Sequence, residues 1–354
     1  ARSAPRTGEQ SAAPAGAADG AVCVLPRPFE LDRINRQIAG HVVDYTKNHG
    51  RDNSLWSPAL GQWRDMYVYL PPGYDPCKRY PLIIWLHAFG QDEHSFLEDG
   101  VLPLDRFMRD GRLPPAIVAA PDGSLSGASG YLSAGGFWLN TPRGGRFEDY
   151  LMQDVWDFLL SHYPIRPERE AHAIAGVSMG GGGAIHTAIK YPDRFGAVLM
   201  LIPPLNIRWE DCHGRYWADF DPECWGWRTD FDRGRQVVGR YFGVFTIRQR
   251  MVVFPLYGRH NPCTAAYASR DNPIEMLDAY GVYDGEFNLY VAYAGRDNLN
   301  LNAQAESFLY RARQRGISID VDYLPDGRHD KATVFRMLPR ALDWLGDRLR
   351  PYAP

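Results

Sequence analysis

The chain has 354 residues, 45% hydrophobic and 23% charged, with a formal net charge of −3. That length carries one large core with embellishments, or at most two domains. The near-balanced charge gives no electrostatic reason to expect nucleic acid or an anionic membrane as partner, and no apolar run is long enough to span a bilayer.

Residues 1–30 open with a stretch rich in Ala, Gly, Pro and Ser, and are expected to be a flexible leader. A single domain is expected over 31–354. Ile38 to Tyr45 and Asp65 to Leu70 cluster apolar residues as strands do, with a hairpin-like connection between them. Val68-Tyr-Leu-Pro-Pro-Gly-Tyr74 closes the second strand in a proline turn, because proline offers no ladder donor. Tyr80 to His87 and Ala116 to Pro121 are continuous apolar runs, the pattern of strands buried on both faces of a parallel sheet. Residues 122–147 form a Gly/Ser-rich loop of a size that usually borders a site or is loosely ordered. Glu148 to His162 has helical spacing, with Leu151, Val155, Phe158 and Leu159 on one face. A short strand at Ala171–Ile174, a glycine-rich turn, a helix to Tyr191 and a strand from Phe195 to Leu201 follow.

From Leu205 to about Phe287 the alternation stops and aromatics accumulate: Trp209, Tyr216, Trp217, Phe220, Trp225 and Trp227, then Phe231, Tyr241, Phe242 and Phe245. Residues 205–287 are expected to form a lid-like insertion, most of whose rings make its own core. Trp225 and Trp227, with Trp138 from the earlier loop, are the candidates for lining a substrate cleft, since flat rings offer large contact area. The regular pattern resumes with a strand at Leu289–Ala294, a helix at Ala303–Arg313, a strand at Ser318–Leu324 and a helix at Lys331–Leu349. This alternation predicts an α/β fold with a mostly parallel central sheet covered by helices on both faces.

Five cysteines (Cys23, Cys77, Cys212, Cys224 and Cys263) show no metal-type CxxC spacing. Cys212 and Cys224 flank a short loop; a disulfide formed in an oxidising compartment and a pair of ordinary thiols are both open readings.

The chemistry centres on Gly176-Val-Ser178-Met-Gly180, preceded by an apolar strand and followed by Gly181 to Gly183. A sharp strand-to-helix turn of this kind lifts a serine hydroxyl above a sheet. A serine hydroxyl needs a base to take its proton and a third group to orient that base. The acid and the histidine should follow in that order, each just beyond a late strand. Asp297 follows the Leu289–Ala294 strand, and His329 follows the Ser318–Leu324 strand. Asp326, Glu306 and Asp230 are the alternative acids: the first crowds His329 in sequence, the second falls in a helix, the third in the insertion. The oxyanion that forms on attack needs two backbone donors. Met179, after the serine, supplies one; Phe89 in the loop after Tyr80–His87 supplies the other, with Ala88 as runner-up. His87 reads as a strand-end residue that satisfies backbone groups.

Together, Val68-Tyr-Leu-Pro-Pro-Gly-Tyr-Asp75, Leu86-His87-x-x-Gly90, Gly176-Val-Ser178-Met-Gly-Gly181 and Gly327-Arg-His329 resemble the esterase D/feruloyl esterase-type family of α/β-hydrolases. Asn140-Thr-Pro142 and Phe147-Glu-Asp-Tyr150 are also similar to that family's segment before its mid-chain helix. The resemblance covers about residues 60–204 and 288–349, and mycolyltransferases and many carbohydrate esterases share it. It implies an α/β-hydrolase fold and ester cleavage through an acyl-enzyme, with no metal or organic cofactor. It places the triad on Ser178, Asp297 and His329 and the oxyanion donors on Phe89 and Met179. One departure stands out: the family usually carries His-Gly-x-Gly-Gly where this chain has His87-Ala-Phe-Gly-Gln91. The expected substrate is an ester of a sugar or a phenolic acid, small or attached to a polysaccharide, met outside the cytoplasm by a secreted or periplasmic protein. Acyl transfer to a sugar hydroxyl, a thioesterase of the S-formylglutathione type, and a non-catalytic binding protein on the same scaffold are the alternatives.

Overall fold

A computed structural model describes residues 29–127, 134–241 and 245–354. The leader up to residue 28 with Cys23, the middle of the Gly/Ser loop and Phe242 lie outside the described residues.

Eight strands build the central sheet: His41–Tyr45 (β1), Met66–Leu70 (β2), Leu82–Leu86 (β3), Ile117–Pro121 (β4), His172–Val177 (β5), Ala197–Leu201 (β6), Asn288–Ala294 (β7) and Asp320–Leu324 (β8). Their spatial order is β1-β2-β4-β3-β5-β6-β7-β8. Strand β2 runs antiparallel to both β1 and β4, and every other neighbouring pair is parallel. The continuous apolar runs sit where parallel strands need them: β3, β4 and β6 are buried at every position.

The helices are Glu30–Gln37 (α1), Val101–Arg109 (α2), Trp156–His162 (α3), Met179–Lys190 (α4), Gln249–Tyr257 (α5), Thr264–Arg270 (α6), Pro273–Ala279 (α7), Leu301–Gln314 (α8) and Lys331–Leu349 (α9). Strand periodicity divides the core into two layers. Met66, Val68, Ile84, Ile174 and Val198 face α3, α4, α7 and α8. Tyr67, Tyr69, Ile83, Ala173 and Leu199 face α1, α2 and α9.

Several boundaries differ from the sequence expectation. Ile38 closes α1, its N–H bonded to the Ile34 carbonyl, and β1 begins only at His41. The helix expected from Glu148 starts at Phe147 and carries a π-helical stretch over Tyr150–Val155 before α3. Leu151, Val155 and Leu159 are buried as their spacing requires, while Phe158 is partly covered.

Residues 205–287 hold two hairpins, Trp209–Asp211 with Trp225–Trp227 and Val237–Tyr241 with Phe245–Arg248, followed by α5, α6 and α7. A Cys212–Cys224 disulfide closes the first hairpin. The end of this segment belongs to the main core: Ile274, Met276 and Leu277 of α7 are buried in the layer that contains α4 and α8. Two small cores stand beside it: Trp209 and Tyr216 with Ala303 of α8, and Phe231 with Val253, Leu256, Tyr257 and Ala268.

Candidate active site

Strand β5 ends at Val177 and α4 begins at Met179, so Ser178 alone makes the turn. Its backbone adopts φ 52° and ψ −116°, a left-sided conformation that costs a residue with a Cβ about 1–3 kcal/mol. The turn is pinned from both sides: Ser178 N–H donates to the Leu201 carbonyl at 2.8 Å, and the Ser178 carbonyl accepts from Gly182 N–H at 3.1 Å. Glycine is obligatory at two flanking positions. A Cβ on Gly176 would run into the Gly180 backbone, and one on Gly180 would run into the Leu86 carbonyl. The strand–helix crossing is thus closer than any side chain allows.

Two loops at the same end of the sheet bring the expected partners. His329 lies just before α9, whose N-cap is Asp330: its carboxylate accepts from Thr333 N–H at 2.8 Å. The helix terminus is therefore capped without the histidine, and His329 points elsewhere. Its Nε2 lies 2.8 Å from Ser178 Oγ, and its Nδ1 lies 2.8 Å from Asp297 Oδ2. All three residues are buried. Asp297 is oriented by Leu299 N–H, which donates to Oδ1 at 2.7 Å. The competing acids are engaged elsewhere or lie away from the imidazole. Asp326 is exposed and paired with Arg336 at 3.0 Å, and Asp230 is paired with Arg233 at 2.9 Å. Glu306 lies within α8, and burial raises its pKa.

Asn298, next to the acid, had no sequence signal. Its Oδ1 accepts from His329 N–H at 3.1 Å, and its Nδ2 donates to the Arg240 carbonyl at 2.8 Å. Arg240 N–H returns a bond to the Asn298 carbonyl at 2.9 Å. One side chain thus joins the histidine loop to the second hairpin of the insertion.

The loop after β3 shows how the non-glycine residues behave. Gln91 Oε1 accepts from Ala88 N–H at 3.1 Å, and Gln91 N–H donates to the Ala88 carbonyl at 3.2 Å. Ala88 is therefore a spent donor. Among the described residues nothing accepts from Phe89 N–H, and Met179 N–H sits at the first helical position, where no carbonyl one turn back can reach it. His87 does what its strand-end position suggests: Nδ1 lies 2.9 Å from the Ala88 carbonyl, and Nε2 accepts from Gly123 N–H at 2.8 Å. Behind it, Asp122 pairs with the buried Arg64 at 2.8 Å. Burial pushes the Asp122 carboxyl up, but Arg64 and His87 outweigh that and hold it below the usual range.

A cavity of about 340 Å³ opens over Ser178 and His329. Phe89, Phe137, Met179, Tyr216, Phe231 and Val253 are part of its wall. The three expected tryptophans are not among its lining residues. Trp138 is 0% exposed and packs edge-on to the His87 ring, in space that Gly123 and Gly183 leave free. Its neighbour Phe137, with φ 54°, lines the cavity instead, 5.8 Å from Phe89. Trp225 and Trp227 contact each other at 4.9 Å on the first hairpin; Trp225 packs inward against the core, and Trp227 is 37% exposed. The polar lining residues Arg228, Gln249 and Gln304 also carried no sequence signal. Among the described residues, Cys212, His213 and Cys224 bring three metal-type donors within 4.8 Å, but the two sulfurs are bonded to each other.

This fold and this serine-bearing turn fit one set of relatives. A model of the putative esterase family matches residues 57–250, more than half of the chain. The chain belongs to the putative esterase family. An endo-1,4-beta-xylanase/feruloyl esterase of Xylanibacter ruminicola is 28% identical over 158 residues, covering 42% of this chain and 21% of that protein. The chain thus spans about a fifth of the length of that relative. Among solved structures, a ferulic acid esterase superposes with a TM-score of 0.62 at 18% identity, over 87% of this chain and 99% of that one. An S-formylglutathione hydrolase from Agrobacterium tumefaciens gives 0.62 at 15% identity, over 88% and 96%. The fluorophosphonate-binding serine hydrolase F of Staphylococcus aureus gives 0.58 at 17% identity, over 86% and 98%. The shared architecture is the α/β-hydrolase fold.

Proposed function

We propose that this esterase-family chain hydrolyses carboxylic esters through an acyl-serine intermediate. The observation that carries the reading is the continuous path Ser178 Oγ to His329 Nε2 to Asp297 Oδ2, with both contacts at 2.8 Å. His329 Nε2 takes the Oγ proton as Oγ bonds to the ester carbonyl carbon. The carbonyl oxygen becomes an oxyanion facing the N–H groups of Phe89 and Met179. Collapse of that adduct breaks the bond to the alcohol oxygen, which leaves with the proton from His329. A water then gives its proton to His329 and attacks the acyl-serine, and collapse returns the proton to Oγ and frees the acid. Asp297 holds the imidazole with Nδ1 protonated and stabilises the imidazolium formed at each attack.

The substrate class we propose is an ester of a sugar or a phenolic acid, taken in the cavity beside residues 205–287, which act as its wall. The Cys212–Cys224 disulfide supports work in an oxidising compartment, secreted or periplasmic.

The experiment is turnover of an activated acyl ester such as p-nitrophenyl acetate by the wild type and by Ser178→Ala. Loss of about 10⁴-fold or more in kcat, with an unchanged far-UV spectrum, is the expected result. A folded variant that turns over at the wild-type rate would refute the serine mechanism. Chromatography of products with and without a sugar acceptor separates water from alcohol as the acyl acceptor.

A further inference from the structure

Arg228 follows the strand Trp225–Trp227 and turns its side chain into the protein, leaving only 5% exposed. It lines the cavity that holds Ser178 and His329. Its guanidinium carbon lies 5.0 Å from the centre of the Tyr216 ring, and Nη1 reaches Gln249 Oε1 at a long 3.4 Å. Tyr216 and Gln249 line the same cavity. Among the described residues nothing accepts from the buried Nη2, and no carboxylate forms an ion pair with this group. Glu210 and Asp230 act on it only through space, and Asp230 is already paired with Arg233 at 2.9 Å.

That condition is unusual for a guanidinium, which cannot shed its proton to escape burial. Arg64 is the charge-paired case in the same molecule: it pairs with Asp122 at 2.8 Å and also donates to the Asp122 carbonyl at 3.1 Å. The second cation on the cavity wall, Lys331, is likewise neutralised, by Asp99 at 2.6 Å. Burial lowers the pKa of Arg228, the direction expected of a cation without a counter-charge. A buried cation lacking its partner destabilises the free protein, so its place in a cavity wall points to a partner that arrives with the ligand. The same cavity wall carries aliphatic groups, with Val238, Ile247 and Val253, and the amides of Gln249 and Gln304.

We propose that Arg228, helped by Gln249, binds a carboxylate carried by the ester substrate, so that the preferred substrate is an anionic ester. The inference rests on the esterase reading above and narrows it. The carboxylate has two possible sources, the acyl part (a half-ester of a dicarboxylic acid) or the alcohol part (an ester of an acidic sugar). Both present the same planar pair of oxygens, which a guanidinium binds through two parallel N–H bonds.

The experiment measures kcat/KM for matched pairs on the full chain. In one arm p-nitrophenyl hemiglutarate is compared with p-nitrophenyl pentanoate; in the other, acetylated glucuronic acid with acetylated glucose. The wild type is expected to favour the anionic member at least about tenfold in one arm, and that arm identifies the source. Free glutarate or glucuronate should inhibit competitively where the uncharged glutaramide or glucose does not. Arg228→Gln should cut the anionic-to-neutral ratio by roughly 10- to 100-fold, the range for a lost charge-assisted bond, and Arg228→Lys should restore part of it. If Arg228→Gln does not fold, the wild-type ratios and the inhibition decide alone. Neutral esters turned over without anionic preference in either arm would overturn this proposal and leave the esterase reading intact. An unchanged ratio in folded Arg228→Gln would do the same. No turnover of any ester, with no labelling of Ser178 by a fluorophosphonate, would overturn both.

Discussion

Ser178, Asp297 and His329 sit on three separate connections at one end of the sheet, and Asn298 is the side chain that ties the last two to the second hairpin. Its carboxamide oxygen fixes the His329 N–H at 3.1 Å, while its amide donates to the Arg240 carbonyl at 2.8 Å. Asn298→Ala removes both bonds without touching the imidazole. Reactions that depend on near-attack geometry lose rate when a base drifts by about 1 Å. We therefore expect Asn298→Ala to lower kcat by roughly 10- to 100-fold with KM little changed. Asn298→Asp keeps the acceptor for His329 and loses the donor to Arg240, so its kcat should fall less. Equal losses in the two variants, or a loss confined to KM, would count against a positioning role. None of this was legible beforehand. The histidine and the acid could be found because each sits just past an apolar strand, a pattern in one dimension. Asn298 matters because of what lies across space from it, and no spacing encodes that.

At the scale of elements, legibility followed hydrophobic pattern. Strands β3, β4 and β6 are unbroken apolar runs and α9 is strongly amphipathic, and all four stood out. Helix α1 is only eight residues long and presents little apolar surface, Ile34 buried and Leu31 partly covered among charged and amide side chains, and no helix was expected there. The three tryptophans expected at a cleft do not line this cavity, for a related reason: aromatic content locates a segment but not the direction of a ring. At Phe137 and Trp138 two successive positive φ angles, 54° and 60°, decide which ring meets the cavity, and no composition argument reaches that. The insertion's first hairpin is short, with strands of three residues each, and its ends are joined by Cys212 and Cys224, twelve positions apart. Two strands this short are not stable alone in water. Closing a loop of this size is worth about 3 kcal/mol in the chain-entropy model. Arg228 leaves this same hairpin, so its placement depends on that closure. The double variant Cys212→Ser/Cys224→Ser should lower Tm by a few degrees and weaken any anionic-ester preference before it affects Ser178 labelling. Thermal unfolding together with fluorophosphonate labelling would check this, and simultaneous loss of both would contradict it.

Over the whole molecule, buried carboxylates with opposing shifts contribute to the stability–pH curve, and Asp271 and Asp65 show the two directions. Asp271 lies between α6 and α7 and contacts both His186, at 3.3 Å, and Arg270, at 2.6 Å. Burial raises its pKa, but those partners outweigh burial and hold it well below the usual carboxylate range. Its contribution is present above the unfolded pKa near 4 and is lost as pH falls below it. Asp65, just before β2, is different. Burial is the largest influence and lifts its pKa to about 6, with Asp122 adding repulsion and Lys47 and Arg64 working against the rise. Here the neutral form is favoured by folding. The stabilising effect is complete below the unfolded pKa of about 4 and disappears as pH climbs through 6. Glu93, buried nearby and bonded to Asn48 at 2.6 Å, is shifted upward as well, mainly by burial. The two trends predict maximal stability on the mildly acidic side of neutrality. They also predict what Asp65→Asn does. The amide mimics the protonated carboxyl at every pH, so the variant should match the wild type near pH 4 and exceed it at pH 8. The gain expected for a shift of about two units is about 3 kcal/mol, an upper figure because the unfolded chain is not featureless. Urea unfolding at pH 4, 6 and 8 measures it directly. A variant that is equally or less stable than the wild type at pH 8 would mean that the ionised Asp65 is accommodated by Lys47 and Arg64 after all.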